Sequence, residues 1–296
     1  MYLTIDFSVP ACKTYKILPL SSTKGKYILK FSVGITHYNE LERISQLLEC
    51  IASSSVKPDL VIIVDDFSVP LKELEKFVDN DFCFDLLILQ NAKNHGGPAI
   101  GRNLCLSRSS QLNMPIFLFD ADDLCPESYF EQVLKGLPDS ELPMVFSPRR
   151  KLFRCTDEIG SSVTVSNMTE NIIFASEEKM LEWGVNPFTL SGSFFSLPFL
   201  KHNIRFPVDP RLNAVEDLHL WLRLIDNKMI ALIEPYIFYR ISDVQISGNK
   251  IKHSLKVIRC FFLNRKSVTD FLRKIIGYIT WHVVVKNIAP RKFWFW

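Results

Sequence analysis

No apolar run in this sequence approaches the roughly 20 residues that a bilayer-spanning helix requires, so no transmembrane helix is expected. The opening MYLTIDFSVPACKTYK lacks a basic leader followed by an apolar core. No secretory signal is therefore expected, and the chain should stay on the cytosolic side. Cysteine is sparse and dispersed: Cys12, Cys50, Cys83, Cys105, Cys125, Cys155 and Cys260, with no CxxC pair. Such an odd, scattered set excludes a disulfide frame and a thiolate zinc site, and reads as reduced thiols serving mostly as small core hydrophobes. Internal repeats and low-complexity tracts are absent. Acid is almost missing from one end: Gly248–Trp296 carries eleven Lys/Arg against the single Asp270, net +10, whereas residues 1–247 carry 24 basic against 31 acidic residues, net −7. An acidic body with a basic tail marks a surface that meets something anionic.

What is present is globular. The 296 residues are 47% hydrophobic, 12% aromatic and 23% charged, enough for one large α/β domain with appendages or two small domains. Residues 1–26 read as a loosely patterned lead-in, 27–247 as the ordered domain and 248–296 as a basic amphipathic helical tail. FSVGIT, LVIIV (Leu60–Val64), LLIL (Leu86–Leu89) and IFLF (Ile116–Phe119) are short strands without a polar face. They alternate with helical patterns at Glu40–Ala52, Leu71–Val78, Ala99–Ser109 and Pro126–Leu134. Strands apolar on both faces, alternating with amphipathic helices, predict a mostly parallel sheet covered on both sides. Later come short strands at Met144–Phe146, Ser193–Ser196 and Ile230–Ile233, and a helix over Glu216–Ile225.

Three constellations can carry chemistry. In an open parallel α/β sheet, ligands sit beyond the carboxyl ends of the strands. Two strands here end in acids, at Asp65/Asp66 and at Asp120/Asp122/Asp123. Gathered at one edge, these carboxylates repel each other unless a cation joins them, and hard oxygen ligands suit Mg²⁺ or Mn²⁺ shared with a diphosphate. The competing reading is that each Asp caps the helix that follows. The second constellation is the turn Asn94-His-Gly-Gly-Pro-Ala-Ile-Gly-Arg-Asn103. It matches neither GxGxxG nor a P-loop. Gly96 and Gly97 allow close backbone approach, and the Arg102 fork suits a diphosphate; a tight turn before a helix explains the motif as well. The third is Glu216-Asp217 at the start of a helix whose buried face is Leu218, Trp221, Leu222 and Ile225. These acids either complement the helix dipole or supply a general base, and spacing does not choose.

FSVGITHYNE, VIIVDDFS, NHGGPAIGRN, FLFDADD and VEDLHLWLRL, in that order over about Lys30–Ser247, resemble the family 2 glycosyltransferases of GT-A fold, of the bacterial surface-polysaccharide type. The resemblance implies a nucleotide-sugar donor, with a UDP-sugar favoured, and a glycan or lipid-linked acceptor. Thr36, Tyr38, Asn39 and Glu40, with Asp65 and Asp66, would meet the nucleoside; Gly97, Arg102 and Asn103 would border the donor pocket. Asp120-Ala121-Asp122 would be the DxD motif, with Asp120 and Asp122 holding the metal. Asp217, beside Glu216, would be the base of an inverting single displacement. In one place the pattern departs: Tyr239–Ser247 resembles a segment that often carries a His where this chain has Ser242, which bears on metal affinity. A Mg²⁺-dependent nucleotidyltransferase and a catalytically silent partner protein are the alternatives; the first lacks a Gly-rich loop after the first strand, and the second sits poorly with intact Asp120, Asp122 and Asp217.

In the tail, Val268, Phe271, Leu272, Ile275, Ile276, Ile279 and Val283 fall on one helical stripe, with Lys/Arg elsewhere and an Arg-Lys-Phe-Trp-Phe-Trp ending. That pattern predicts contact through 268–296 with the anionic inner face of the plasma membrane, rather than with nucleic acid. An ordinary helix packed on the domain is the other reading. Oligomeric state is not legible.

Overall fold

The computed structural model describes residues 13–15, 30–78, 82–91, 96–138, 142–153, 184, 186–202, 204–240 and 250–280. Its strands are β1 (Lys13–Tyr15), β2 (Ser32–His37), β3 (Leu60–Asp65), β4 (Asp85–Gln90), β5 (Ile116–Asp120), β6 (Val145–Phe153), β7 (Ser193–Phe195) and β8 (Ile230–Arg240). They form one sheet in the order β1-β4-β3-β2-β5-β7-β6-β8. The pairs β4–β3, β3–β2, β2–β5 and β6–β8 are parallel, and β1, β7 and their neighbours run antiparallel. A mostly parallel α/β sheet is what the apolar runs predicted. The lead-in was read as loose, yet it supplies the edge strand β1, whose three residues pair with Ile88–Gln90 of β4.

The helices are α1 (Leu41–Ser53), α2 (Leu71–Glu75), α3 (Pro98–Gln111), α4 (Tyr129–Gly136), α5 (Leu197–Lys201), α6 (Glu216–Asp226), α7 (Lys250–Leu263) and α8 (Val268–Ile279). Every residue of β2 and β3 is buried, as central strands of a doubly covered sheet must be. Alternate residues of β3 feed two cores. Val61 and Ile63 pack with Ile44, Leu48 and Phe130 of α1 and α4. Leu60, Ile62 and Val64 pack on the other face with Leu106 of α3 and Trp221 of α6. Side chains of this size contribute about 1.5–3 kcal/mol each when fully buried.

Two strands are longer than predicted. β6 runs through Pro148-Arg-Arg-Lys and β8 through Glu234-Pro235, and the register between them shifts between Ser147 and Arg149. Proline lacks the N–H that a regular ladder needs, so the pair resumes beyond an irregularity that period-2 patterning does not register. The C-terminal region also differs from a tail hung on a finished domain. Val257, Cys260 and Phe261 of α7 and Tyr278 of α8 belong to the same core cluster as Trp221, with Phe271 and Ile275 packed against it. Gly184 is in the left-handed region (φ 70°), and a Cβ there would lie 2.5 Å from the Lys274 carbonyl oxygen. Among the described residues, no helix is long and apolar enough to cross a membrane.

Candidate active site

Strand register assembles the site. Thr36 stands opposite Asp120, and His37 opposite Asp65. The ends of β3, β2 and β5 therefore lie side by side, and the acids on the first and third share one edge. Helix α3 follows the glycine turn and leans on this edge: a Cβ on Gly101 would meet Thr36 Cγ2 at 2.9 Å.

The strand-end acids divide into two kinds. Asp65 has no exposed surface. Its carboxylate accepts the Ser68 N–H (3.0 and 3.1 Å), the Ser68 hydroxyl, and Gln90 Nε2 at 2.9 Å, and lies 3.4 Å from His37 Nε2. Burial holds the His37 pKa down despite Asp65 and Asp66 beside it. Asp65 thus closes its own turn and presents no surface to a ligand, but it does not cap the following helix, whose N-cap is Pro70 with no side-chain cap hydrogen bond. Asp66 accepts from the Gly96 and Gly97 N–H groups at 3.0 and 2.9 Å and from Asn91 Nδ2 at 2.6 Å. It fastens the glycine turn to the end of β3. Gly97 takes φ 81°, and a Cβ there would meet the Asn213 side chain at 2.9 Å, so the turn passes where a larger residue does not fit.

Asp120 and Asp122 are the second kind, with 33% and 28% of their side chains exposed. Burial, then the charge of Asp120, pushes the Asp122 pKa up. Glu40 is raised as well, by burial and then by Asp122. The cations nearest Asp122 are peripheral: Arg43 Nη1 lies 3.7 Å from its carboxylate and 2.5 Å from Glu40. Crowded carboxylates that keep about a third of their side chains in solvent, and of which Asp122 has only Arg43 at 3.7 Å beside it, fit a divalent cation. Among the described residues no cluster of three or more His, Cys, Asp or Glu is arranged to hold a metal. Ala121 between them is buried. Asp123 differs again: buried, with one oxygen accepting the Arg240 N–H at 2.9 Å. Burial, then Asp122 and Asp120, raises its pKa well above the carboxylate range.

Arg102 is the hub. Buried within α3, it donates to Asp120 Oδ1 at 2.9 Å and to Glu216 Oε1, and its guanidinium lies 5.6 Å from the Phe206 ring centroid. Burial opposes its charge, but Asp120 and Glu216 more than offset that and raise its pKa. The sequence aimed Arg102 at a diphosphate; here its fork joins the β5 turn to the start of α6. Asn103, expected at the pocket edge, clamps the Phe206 backbone through hydrogen bonds of 2.9 and 3.0 Å. Its job in this structure is to hold the segment leading to α6.

The acid pair on α6 also separates. Glu216 is 3% exposed and bound to Arg102, which places it behind the site surface rather than on it. Asp217 is only partly buried and accepts the Leu218 N–H at 2.7 Å. Burial first, then the neighbouring Glu216, pushes its pKa up to about 6, against the pull of Arg102. A carboxylate poised there is suited to proton transfer near neutral pH.

Several site residues were not singled out from the sequence. Arg240 Nε donates to the Asp122 carbonyl at 2.7 Å and its Nη2 to Gln46 at 2.7 Å, locking the aspartate turn to α1 and β8. Ser191 Oγ accepts the Asp120 N–H at 2.9 Å. Arg150 of β6 is close enough to Asp217, Asp123 and Tyr239 to feel their charge, although burial lowers its pKa overall. Phe67, 49% exposed, sits in the left-handed region at φ 56°, a conformation that bulky residues adopt only where function or packing imposes it. Of the residues the sequence did single out, Tyr38 is likewise exposed, and Asn39 (φ 57°) donates its N–H to Ser68 Oγ at 2.8 Å. Ser242 lies outside the described residues.

A family model described as Glycosyl transferase family 2 matches residues 32–200, more than half of the chain. No curated protein sequence matches. Among solved structures, S. aureus TarS 1-349 in complex with UDP-GlcNAc is 18% identical, with TM-score 0.60, over 89% of this chain and 77% of that one. The same fragment in complex with UDP gives 20% identity, TM-score 0.57, and 88% and 74% coverage. The mannosyltransferase PcManGT from Pyrobaculum calidifontis, in complex with GDP-Man and Mn²⁺, is 16% identical, with TM-score 0.58, over 87% of this chain and 71% of that one. At these identities the likeness is one of fold.

Proposed function

The chain belongs to glycosyl transferase family 2, and on that premise we propose that it moves a sugar, with inversion, from a nucleotide-sugar to a hydroxyl of a glycan or lipid-linked acceptor. A UDP-sugar is the favoured donor, since TarS binds UDP and UDP-GlcNAc, whereas PcManGT binds GDP-Man. The observation that carries the reading is the Arg102 bridge, which ties Asp120 to Glu216 and so brings the aspartate turn and the start of α6 to one place.

Asp120 and Asp122 would hold Mg²⁺ or Mn²⁺, which when bound offsets the charge that builds on the departing nucleoside diphosphate. Asp217 takes the proton from the acceptor hydroxyl as that oxygen attacks the anomeric carbon. The new carbon–oxygen bond forms as the bond to the diphosphate breaks on the opposite face. Glu216 does not touch the acceptor; through Arg102 it fixes the start of α6 and, by its charge, keeps Asp217 basic enough to act. Asp66 holds the glycine turn so that the Gly97 backbone borders the donor, with Thr36 at the strand edge below. Tyr38, Asn39, Glu40 and Phe67 form the rim that meets the nucleoside.

The test is calorimetric binding of UDP, GDP, CMP, TDP-sugars and ATP, with and without Mn²⁺. Metal-dependent binding of one nucleoside diphosphate or its sugar, lost in Asp122→Ala, is the expected result. Binding of ATP alone would instead point to nucleotidyl transfer, and binding of none would leave the site without a donor.

A further inference from the structure

The tail stripe read from the sequence is split by the fold, as far as the described residues reach; Val283 and the rest of 281–296 lie outside them. Phe271 and Ile275 turn inward against the core, while Val268, Leu272, Ile276 and Ile279 stay 50–70% exposed. These four lie within about 80° of arc on α8, so they form one solvent-facing ridge. A second ridge, not foreseen from the sequence, runs along α7: Ile251, Leu255 and Phe262 recur on one side and are 76%, 60% and 47% exposed. Phe262 of this ridge touches the inward-turned Phe271 of α8 edge to face, ring centroids 5.7 Å apart, so the two helices pack side by side. Two adjacent helices thus present bulky aliphatic side chains outward, which soluble surfaces carry singly but rarely as a continuous patch.

We infer that this α7–α8 face lies in the plane of an anionic phospholipid surface, with the two apolar ridges entering the headgroup region. Charge selects the occupant. Residues 250–279 hold eight Lys/Arg against Asp270 alone; buried Lys274 is paired with Asp270 at 2.9 Å and Lys266 with Asp226 of α6 at 2.7 Å, so with both acids counted the excess is six positive charges. Two copies of the chain packed through this face would set like charge against like. Single-stranded nucleic acid would want planar rings to stack upon, whereas the exposed side chains are mainly aliphatic. A negative lipid surface satisfies both the charge and the apolar ridges. Arg265 shows the combination in one residue, its guanidinium 3.7 Å from the Phe262 ring centroid. Among the described residues no helix is long and apolar enough to cross a membrane, and apolar ridges on short basic helices suit contact in the plane of the surface. Surface attachment would present the active site to a lipid-linked acceptor, but the inference does not depend on the catalytic reading.

The experiment is cosedimentation of the full chain with vesicles of phosphatidylcholine alone or mixed with phosphatidylglycerol. It compares the wild type with Leu272→Ser/Ile276→Ser, Ile251→Ser/Leu255→Ser and Arg265→Gln/Arg273→Gln. All these side chains are exposed, so melting temperatures should not change. Expected is binding to the phosphatidylglycerol vesicles that drops about tenfold or more in each serine pair, and that weakens in the Arg pair and at roughly 1 M salt, where the Debye length is about 3 Å. No binding of the wild type to either vesicle, or binding unchanged in both serine pairs, overturns the inference. A dimer in sedimentation velocity that the serine pairs dissociate, without vesicle binding, would instead assign the face to a second copy. An effect confined to the α8 pair would remove the two-helix surface. Donor binding by the same preparations is measured separately, so failure here leaves the transferase reading standing.

Discussion

The turn after β3 and the turn after β5 both begin with aspartates leaving a buried parallel strand, and they use them in opposite ways. Asp65 is enclosed, with hydrogen bonds from Ser68 and Gln90 and an imidazole beside it, and Asp66 is fastened to two glycine N–H groups and Asn91. Asp120 and Asp122 keep part of their carboxylates in solvent; Asp120 shares Arg102 with Glu216, and Asp122 has Arg43 at the longer distance of 3.7 Å. Identical residue types at equivalent strand ends thus become a structural clamp in one turn and a half-compensated acid pair in the other. What separates them is the supply of neutral donors nearby. A carboxylate saturated with hydrogen bonds has nothing left for a metal; one facing another carboxylate does.

This contrast makes predictions of graded size. The largest concerns Asp217, a partly buried acid whose pKa is pushed up to about 6. Asp217→Asn should lower the transfer rate by about 10²–10⁴-fold while leaving nucleotide-sugar affinity unchanged in calorimetry. The pH profile of the wild type should fall on the acid side with an apparent pKa of about 6. Retained turnover in Asp217→Asn would remove the assignment of the base. Next, Asp122→Ala should abolish the metal-dependent part of donor binding with little change in folding, since that side chain is partly exposed. Asp65→Ala should do the reverse: unfolding by urea should show a loss of about 2–4 kcal/mol from several orphaned buried donors, with donor affinity of the folded protein near wild type. Equal effects of both alanine variants on binding would erase the distinction between the turns.

The sequence made the sheet legible because β2, β3, β4 and β5 are apolar on both faces, a pattern that no amphipathic helix imitates. It also located the acids, since strand ends in a parallel sheet fall on one edge. The roles of those acids were not legible, because the partners that decide them are distant. Gln90 is 25 residues from Asp65, and Glu216 is 114 from Arg102. Local reading therefore placed Arg102 on a diphosphate and set Glu216 beside Asp217 among the catalytic residues. The extended β6–β8 pair was hidden by Pro148 and Pro235 and by charged residues with no period-2 pattern. The outward ridge on α7 was hidden because a helical stripe says which residues share a face, not which half of that face finds a partner.

The smallest predicted effect tests the electrostatic cost of keeping Asp217 ready. Its pKa in the folded chain, about 6, lies above the unfolded value of about 3.9. Between those values the native state binds more protons than the unfolded state, so stability falls as pH rises through that window. Below it the two states are equally protonated and the cost vanishes; above about pH 6 it is complete. Asn carries no such charge. Asp217→Asn should therefore melt higher than the wild type at neutral pH, by roughly 2 °C for about 1 kcal/mol once solvent screening of this partly exposed group is allowed for. The difference should shrink toward zero as the pH is lowered through the window. A variant that is both inactive and more stable at neutral pH marks a residue held in an unfavourable state for function. Equal melting temperatures at all pH values would mean that Asp217 titrates as an ordinary carboxylate, and that its neighbours Glu216 and Arg102 cancel each other at its position.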